Sequence, residues 1–157
     1  MNDLGLTRLR LVLLAAGVSA ALLVAVFVFQ ALGYAPCKLC WWQRYPHMAA
    51  VAVGLLALAW QPAALLAWLG ALAAAATGAI GVYHTGVEQS WWTGPDTCTS
   101  APIGGVSAQD LLNQIMAAPL VRCDEVAWAL FGVSMASWNA IVSFGLVAVW
   151  VMATRRA

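Results

Sequence analysis

The chain has 157 residues, of which 64% are hydrophobic and 8% charged, against about a quarter charged in an ordinary soluble domain. Seven basic and six acidic side chains cannot cover a water-soluble globule of this size, and disorder needs the opposite composition, low hydrophobicity with high charge. A formal net charge of +1 with no basic patch argues against nucleic-acid binding, which leaves an all-α integral membrane protein folded as one compact bundle.

In chain order, residues 11–32 carry no charge and only Ser19 and Gln30 as clearly polar groups. At about 1.5 Å per residue such a stretch crosses a hydrocarbon core roughly 30 Å thick, which predicts a first span over about 9–32. It exceeds the apolar region of a signal peptide, and Pro36 spoils the small-residue cleavage site at Ala35, so a retained helix is expected. A short loop, about 33–44, follows. Tyr45 to Val87 is again free of charge and too long for one crossing; Gln61-Pro62 is its break, because proline disfavours helix at the residue before it. Spans over about 41–60 and 63–83 result. The run Ala73-Ala74-Ala75-Ala76 with Gly70, Gly78 and Gly81 predicts close approach of the third helix to its neighbours.

The segment 84–125 holds five of the six acids and the Pro/Gly-rich runs Thr93-Gly94-Pro95-Asp96 and Ala101-Pro102-Ile103-Gly104-Gly105, and it reads as an extramembrane loop. Within it, Ser107-x-x-Asp110 resembles a capping box with Asp in place of Glu, and Leu111, Leu112, Ile115 and Met116 follow at helical spacing before Pro119. A short amphipathic helix is expected there, lying on the outer leaflet or packed on the bundle. A last apolar stretch gives a fourth span over about 126–153. The expectation is one domain, residues 1–157, built as a four-transmembrane-helix bundle.

Four spans put both termini on one side. That side carries Arg8, Arg10, Arg155 and Arg156, while the loop side carries Lys38, Arg44 and Arg122 against five acids. The positive-inside rule then favours cytoplasmic termini, with both loops on the opposite side. Trp41, Trp42, Trp91, Trp92 and Trp128 fall at the loop-side ends of the spans, and Trp60, Trp68 and Trp150 near the other, as two aromatic belts. Trp138 lies mid-span as a packing residue, and His47 reads as interfacial packing.

All four cysteines, Cys37, Cys40, Cys98 and Cys123, lie in the two outer loops. Cys37-Lys38-Leu39-Cys40 is a C-x-x-C at a helix start, where the helix dipole and the nearby Lys38 and Arg44 favour a thiolate. Structural disulfides stapling the loops are one reading. A four-thiolate zinc site is a second, but Cys98 and Cys123 stand too far apart in sequence for a close-spaced pair, so no metal is expected. The third is a redox relay between a reactive pair at the membrane surface and a second pair on a loop.

Cys37-x-x-Cys40-Trp41-Trp42-Gln43-Arg44 resembles the C-x-x-C-x-x-x-R signature of the disulfide bond formation protein B (DsbB) family. The resemblance continues through Tyr83-His84-Thr85 and Cys98 to Cys123-x4-Trp128-x3-Gly132-x-Ser134-Met135-x-x-Trp138-Asn139, over nearly the whole chain. It implies a protein-disulfide:quinone oxidoreductase of the bacterial inner membrane, which reoxidises a periplasmic thioredoxin-like oxidase (DsbA type) and passes electrons to ubiquinone or menaquinone in the membrane quinone pool. Carried over by position, Cys98 would take the attack of the partner's thiolate, Cys123 would then attack Cys37, and Cys40 would be freed to face the quinone. Arg44, four residues on from Cys40 and on the same helical face, would bind the quinone, as would His84. Asn139 and Ser134 read as polar ties between helices in the bilayer depth. A vitamin K epoxide reductase-like protein is the nearest enzyme rival, but its active pair lies late in the chain, in the last helix, whereas here the C-x-x-C opens the second. A non-catalytic membrane scaffold is the rival of another class.

Overall fold

The computed structural model describes residues 7–60, 64–96, 98, 107–117 and 121–156. Four long helices, α1 (Arg8–Ala31), α2 (Lys38–Trp60), α3 (Ala64–Glu88) and α5 (Met135–Thr154), are joined by a short helix α4 (Ala108–Ala117) and a two-stranded hairpin, β1 (Ala129–Leu130) and β2 (Val133–Ser134). Three of the long helices, α1, α3 and α5, are long and apolar enough to cross a membrane. The remaining one, α2, has comparable length but carries Lys38, Gln43, Arg44 and His47, which lower its hydropathy. The Gln61-Pro62 break, the run 101–105 and Pro119 lie outside the described residues.

Capping chemistry sets several boundaries. Thr7 Oγ1 accepts from Arg10 N–H to open α1. At the far end of the chain, Arg8 donates through Nε to the Ala153 carbonyl at 3.2 Å and through Nη2 to the Arg156 carbonyl. The start of α1 and the end of α5 therefore sit together at one end of the bundle. The capping box at α4 is present in altered form. Ser107 Oγ accepts from Asp110 N–H at 3.2 Å, but the shorter aspartate returns to the Ser107 hydroxyl at 2.6 Å. Leu112, Ile115 and Met116 of α4 are exposed.

The fourth helix is shorter than residues 126–153 suggested: it starts at Met135. Residues 129–134 form the antiparallel hairpin instead, with Phe131 and Gly132 at positive φ in its turn. Ser134 then caps α5, its Oγ accepting from Ser137 N–H at 3.2 Å. Hydropathy alone runs through this turn without registering it; Gly132 and Ser134 are the residues that break it. Two side chains move accordingly. Ser134 sits at a helix start rather than at bilayer depth, and Trp138 lies in the first turns of α5, donating to the Leu130 carbonyl at 3.2 Å. The third helix runs past residue 83 to Glu88, so His84 lies inside it.

The bundle packs around α3, whose small residues allow close approach. A Cβ on Gly81 would stand 3.1 Å from the Ala136 carbonyl and the Ala140 nitrogen of α5. At Gly70 it would meet the ring of Trp150 at 2.5 Å. Trp150 is consequently no belt residue: it is fully buried in the core with Leu11, Val12, Val53, Ala67 and Leu146. Trp60, Trp68 and Trp91 keep the exposure that an interfacial belt requires.

Because the Gly81 contact is to backbone, no flexible side chain can yield there. Gly81→Leu is expected to lower the stability of the detergent-solubilised protein by about 1–3 kcal/mol, read as a fall in unfolding midpoint. Gly17→Leu, at a glycine with open space around it, should cost far less; equal losses would contradict the close α3–α5 contact.

Candidate active site

Cys37 occupies the residue before α2 and caps it: its Sγ accepts from Cys40 N–H at 3.3 Å and its carbonyl from Trp41 N–H at 3.2 Å. The first helical turn thereby brings the two sulfurs to 3.0 Å, as a free dithiol. The Cys37 thiol is pushed up from its ordinary value by its hydrogen bond to Cys40 and by burial. The loop cysteines are joined as a disulfide, Cys98–Cys123, with the Cys123 N–H donating to the Cys98 carbonyl at 2.7 Å. Both pairs meet. Cys37, Cys98 and Cys123 are buried in one cluster with Leu39 and Val87, and Cys40 packs against it.

His84 joins this cluster from α3, with Nε2 3.6 Å from Cys37 Sγ. Its tautomer follows from its neighbours. Gln43 Nε2 lies 3.3 Å from the Leu39 carbonyl, which can only accept, so that atom is the amide nitrogen. The same nitrogen donates to His84 Nδ1 at 2.8 Å, which leaves the proton of a neutral His84 on Nε2, facing the sulfur. Glu88 stands one turn on, with Oε1 4.0 Å from His84 Nε2 and Oε2 2.5 Å from the Ser134 hydroxyl that donates to it.

Arg44 is buried rather than exposed at a helix rim. Its guanidinium lies between the rings of Phe27 and Trp41, at 4.9 and 4.5 Å from their centroids, and donates to Gln30 Oε1 at 2.8 Å. These contacts desolvate one cation on aromatic faces and hold it in place. Outside the bundle, Arg122 forks onto Asp124 at 2.9 and 2.5 Å beside Cys123 and holds that carboxyl below its usual range.

A cavity of about 260 Å³ opens among α1, α2, α3 and α5. Cys40, Arg44, His84 and Asn139 supply polar atoms to its wall, while residues such as Val26 and Phe29 make the rest apolar. Of the residues singled out in sequence, Cys37, Cys40, Arg44 and His84 thus share one chamber, and Cys98 and Cys123 adjoin it through Cys37. Gln43 and His47 were missed as site residues. His47, read as interfacial packing, is instead buried in the bundle and bonded to Asn139 at 2.8 Å. The signal was available: Cys40, Gln43, Arg44 and His47 recur at i, i+3, i+4 and i+7, one face of a helix.

No curated protein and no solved structure gives a significant match to the chain. The family described as disulfide bond formation protein DsbB matches residues 7–153. With that match covering the four long helices and all four cysteines, the chain belongs to the DsbB family, as a membrane-associated helical disulfide oxidoreductase.

Proposed function

We propose that this protein is a four-span oxidoreductase of the bacterial inner membrane that reoxidises a periplasmic thioredoxin-like thiol oxidase of the DsbA type and reduces membrane quinone. The observation that carries the reading is the meeting of two cysteine pairs in opposite redox states, Cys98–Cys123 closed and Cys37/Cys40 open, within one buried cluster on a cavity wall. In this reading α2 is the fourth crossing alongside α1, α3 and α5. The termini are cytoplasmic, the cysteines periplasmic, and residues 1–157 a single domain. The exposed apolar residues of α4 favour a helix lying on the outer leaflet.

The thiol chemistry balances through four exchanges. A partner thiolate attacks Cys98 Sγ, forming a mixed disulfide and releasing Cys123 as thiolate. Cys123 attacks Cys37 of a Cys37–Cys40 disulfide, and Cys40 leaves as thiolate at the helix N-terminus, the end that favours negative charge. The partner's second thiolate attacks its own sulfur in the mixed disulfide and departs oxidised, leaving Cys98 reduced. Cys98 then attacks Cys123, which restores Cys98–Cys123 and leaves Cys37 and Cys40 as the dithiol.

The cavity suits a lipophilic ring: apolar walls, the Cys40 sulfur, a fixed guanidinium and an imidazole on one chamber. When bound there, a quinone supplies the acceptor for the two electrons and two protons that close the Cys37–Cys40 disulfide. Arg44 would bind one ring oxygen and hold positive charge beside Cys40, and His84 would orient toward the Cys37 sulfur. Ubiquinone and menaquinone share the chemistry these residues recognise.

Trapping the partner tests the relay. A reduced DsbA-type oxidase whose second active-site cysteine is replaced cannot resolve the mixed disulfide and should accumulate it on Cys98, and Cys98→Ser should abolish the adduct. An adduct mapped to Cys123 instead of Cys98 would reverse the assigned order.

Arg44→Ala should leave membrane insertion and partner exchange in place while quinone affinity or the rate of quinone reduction falls about 10–1000-fold, the loss of a charge-assisted bond. Arg44→Lys should recover only part, since lysine lacks the planar fork. Unchanged kcat and KM for a short-chain quinone in Arg44→Ala would remove Arg44 from the site.

A further inference from the structure

The polar network behind His84 fixes more than that ring. Asn139 Nδ2 lies 3.3 Å from the Thr77 carbonyl and 2.7 Å from Gln43 Oε1, both acceptors, so it is the amide nitrogen. Its oxygen is left to accept, from Ser143 Oγ at 3.4 Å and from His47 Nε2 at 2.8 Å. The neutral His47 ring therefore carries its proton on Nε2, and Nδ1 is a bare lone pair that can only accept. That atom is buried and has no partner among the described residues, on a side chain only 4% exposed that lines the same cavity as Cys40 and Arg44. A buried acceptor left unmade costs free energy, and a group in the cavity that donates a hydrogen bond removes that cost.

We infer that His47 Nδ1 is a binding contact for the reduced ligand: it accepts a hydrogen bond from a hydroxyl of a hydroquinone ring. The inference rests on the quinone reading above. A quinone offers carbonyl oxygens, which only accept, and gains nothing from this lone pair. Its hydroquinone carries two hydroxyls and does. Selective binding of the reduced form raises the potential of the bound couple by linkage. A preference of about 3–10-fold corresponds to roughly 15–30 mV for two electrons, a bias in the direction that favours electron flow out of Cys37 and Cys40.

Calorimetric titration of the detergent-solubilised protein tests this, with each ligand measured against the redox state in which no electrons move. A short-chain ubiquinone is titrated into the Cys37–Cys40 disulfide form, and its hydroquinone into the dithiol form under anaerobic conditions. His47→Leu should weaken hydroquinone binding by about 3–10-fold, the worth of one neutral hydrogen bond, and change quinone binding by less than about twofold. His47→Gln can still donate to Asn139 but places no acceptor at the δ position, so it keeps the network and should lose the same hydroquinone affinity. His47→Asn restores an oxygen at that position and should retain most of it. Hydroquinone affinity unchanged in His47→Gln, or equal losses for both ligands, would overturn the inference while leaving the quinone reading intact. A wild-type protein that binds neither ligand would overturn both.

Discussion

The amide of Asn139 is the point on which the outer half of the bundle turns. One side chain from α5 donates to Gln43 of α2 and to the Thr77 backbone of α3, and accepts from His47 of α2 and Ser143 of its own helix. Three helices are held in one relative register by a group that apolar packing could not replace without leaving several partners unsatisfied. The hydrogen bonds run in one sense, from His47 through Asn139 and Gln43 to His84, and end on the Cys37 sulfur. The position of the redox pair is thereby tied to the packing of helices that contain no cysteine.

The same network explains why α2 differs from its neighbours. A bundle interior has no water to satisfy Gln, Arg or His, so such residues, when buried, must pair with one another. Each does so. Gln43 and His47 bond to residues of α3 and α5, and Arg44 is enclosed by Phe27, Trp41 and Gln30. Thr77 adds a bond to the Gln43 carbonyl at 3.0 Å, three residues before Pro46, whose missing N–H interrupts the ladder in that stretch. The lower hydropathy of α2 goes with the site residues it carries, and the more apolar α1, α3 and α5 enclose it.

Much of this is legible in the sequence, and the failures have physical causes. Charge-free windows locate the long helices because lipid tolerates few charges, and the run of Ala and Gly in α3 correctly signals close packing. A hydropathy window cannot see a turn made of apolar residues, so the hairpin before α5 was absorbed into the fourth span; Gly132 and Ser134 were visible, yet their meaning depended on backbone angles. The place of Trp150 near a helix end suggests a belt residue, and only the facing Gly70 reveals that it points inward. Spacing alone places Cys40 and Arg44 on one face of α2, while the roles of the four cysteines and Arg44 come from the resemblance to the DsbB family. The role of Gln43 and His47 is not legible there, since it depends on partners on α3 and α5 that are 41 and 92 residues away in sequence.

The central claim is that electrons pass from a thiol oxidase through these four cysteines to quinone. The most direct measurement is stoichiometric: purified protein, a reduced DsbA-type oxidase and a short-chain quinone, mixed without oxygen, with disulfide and hydroquinone counted together. One hydroquinone is expected for each partner disulfide, and turnover is expected to be abolished when Cys40 is replaced. Partner oxidation beyond one equivalent per protein that proceeds without quinone consumption, or persists in Cys40→Ser, would contradict the claim.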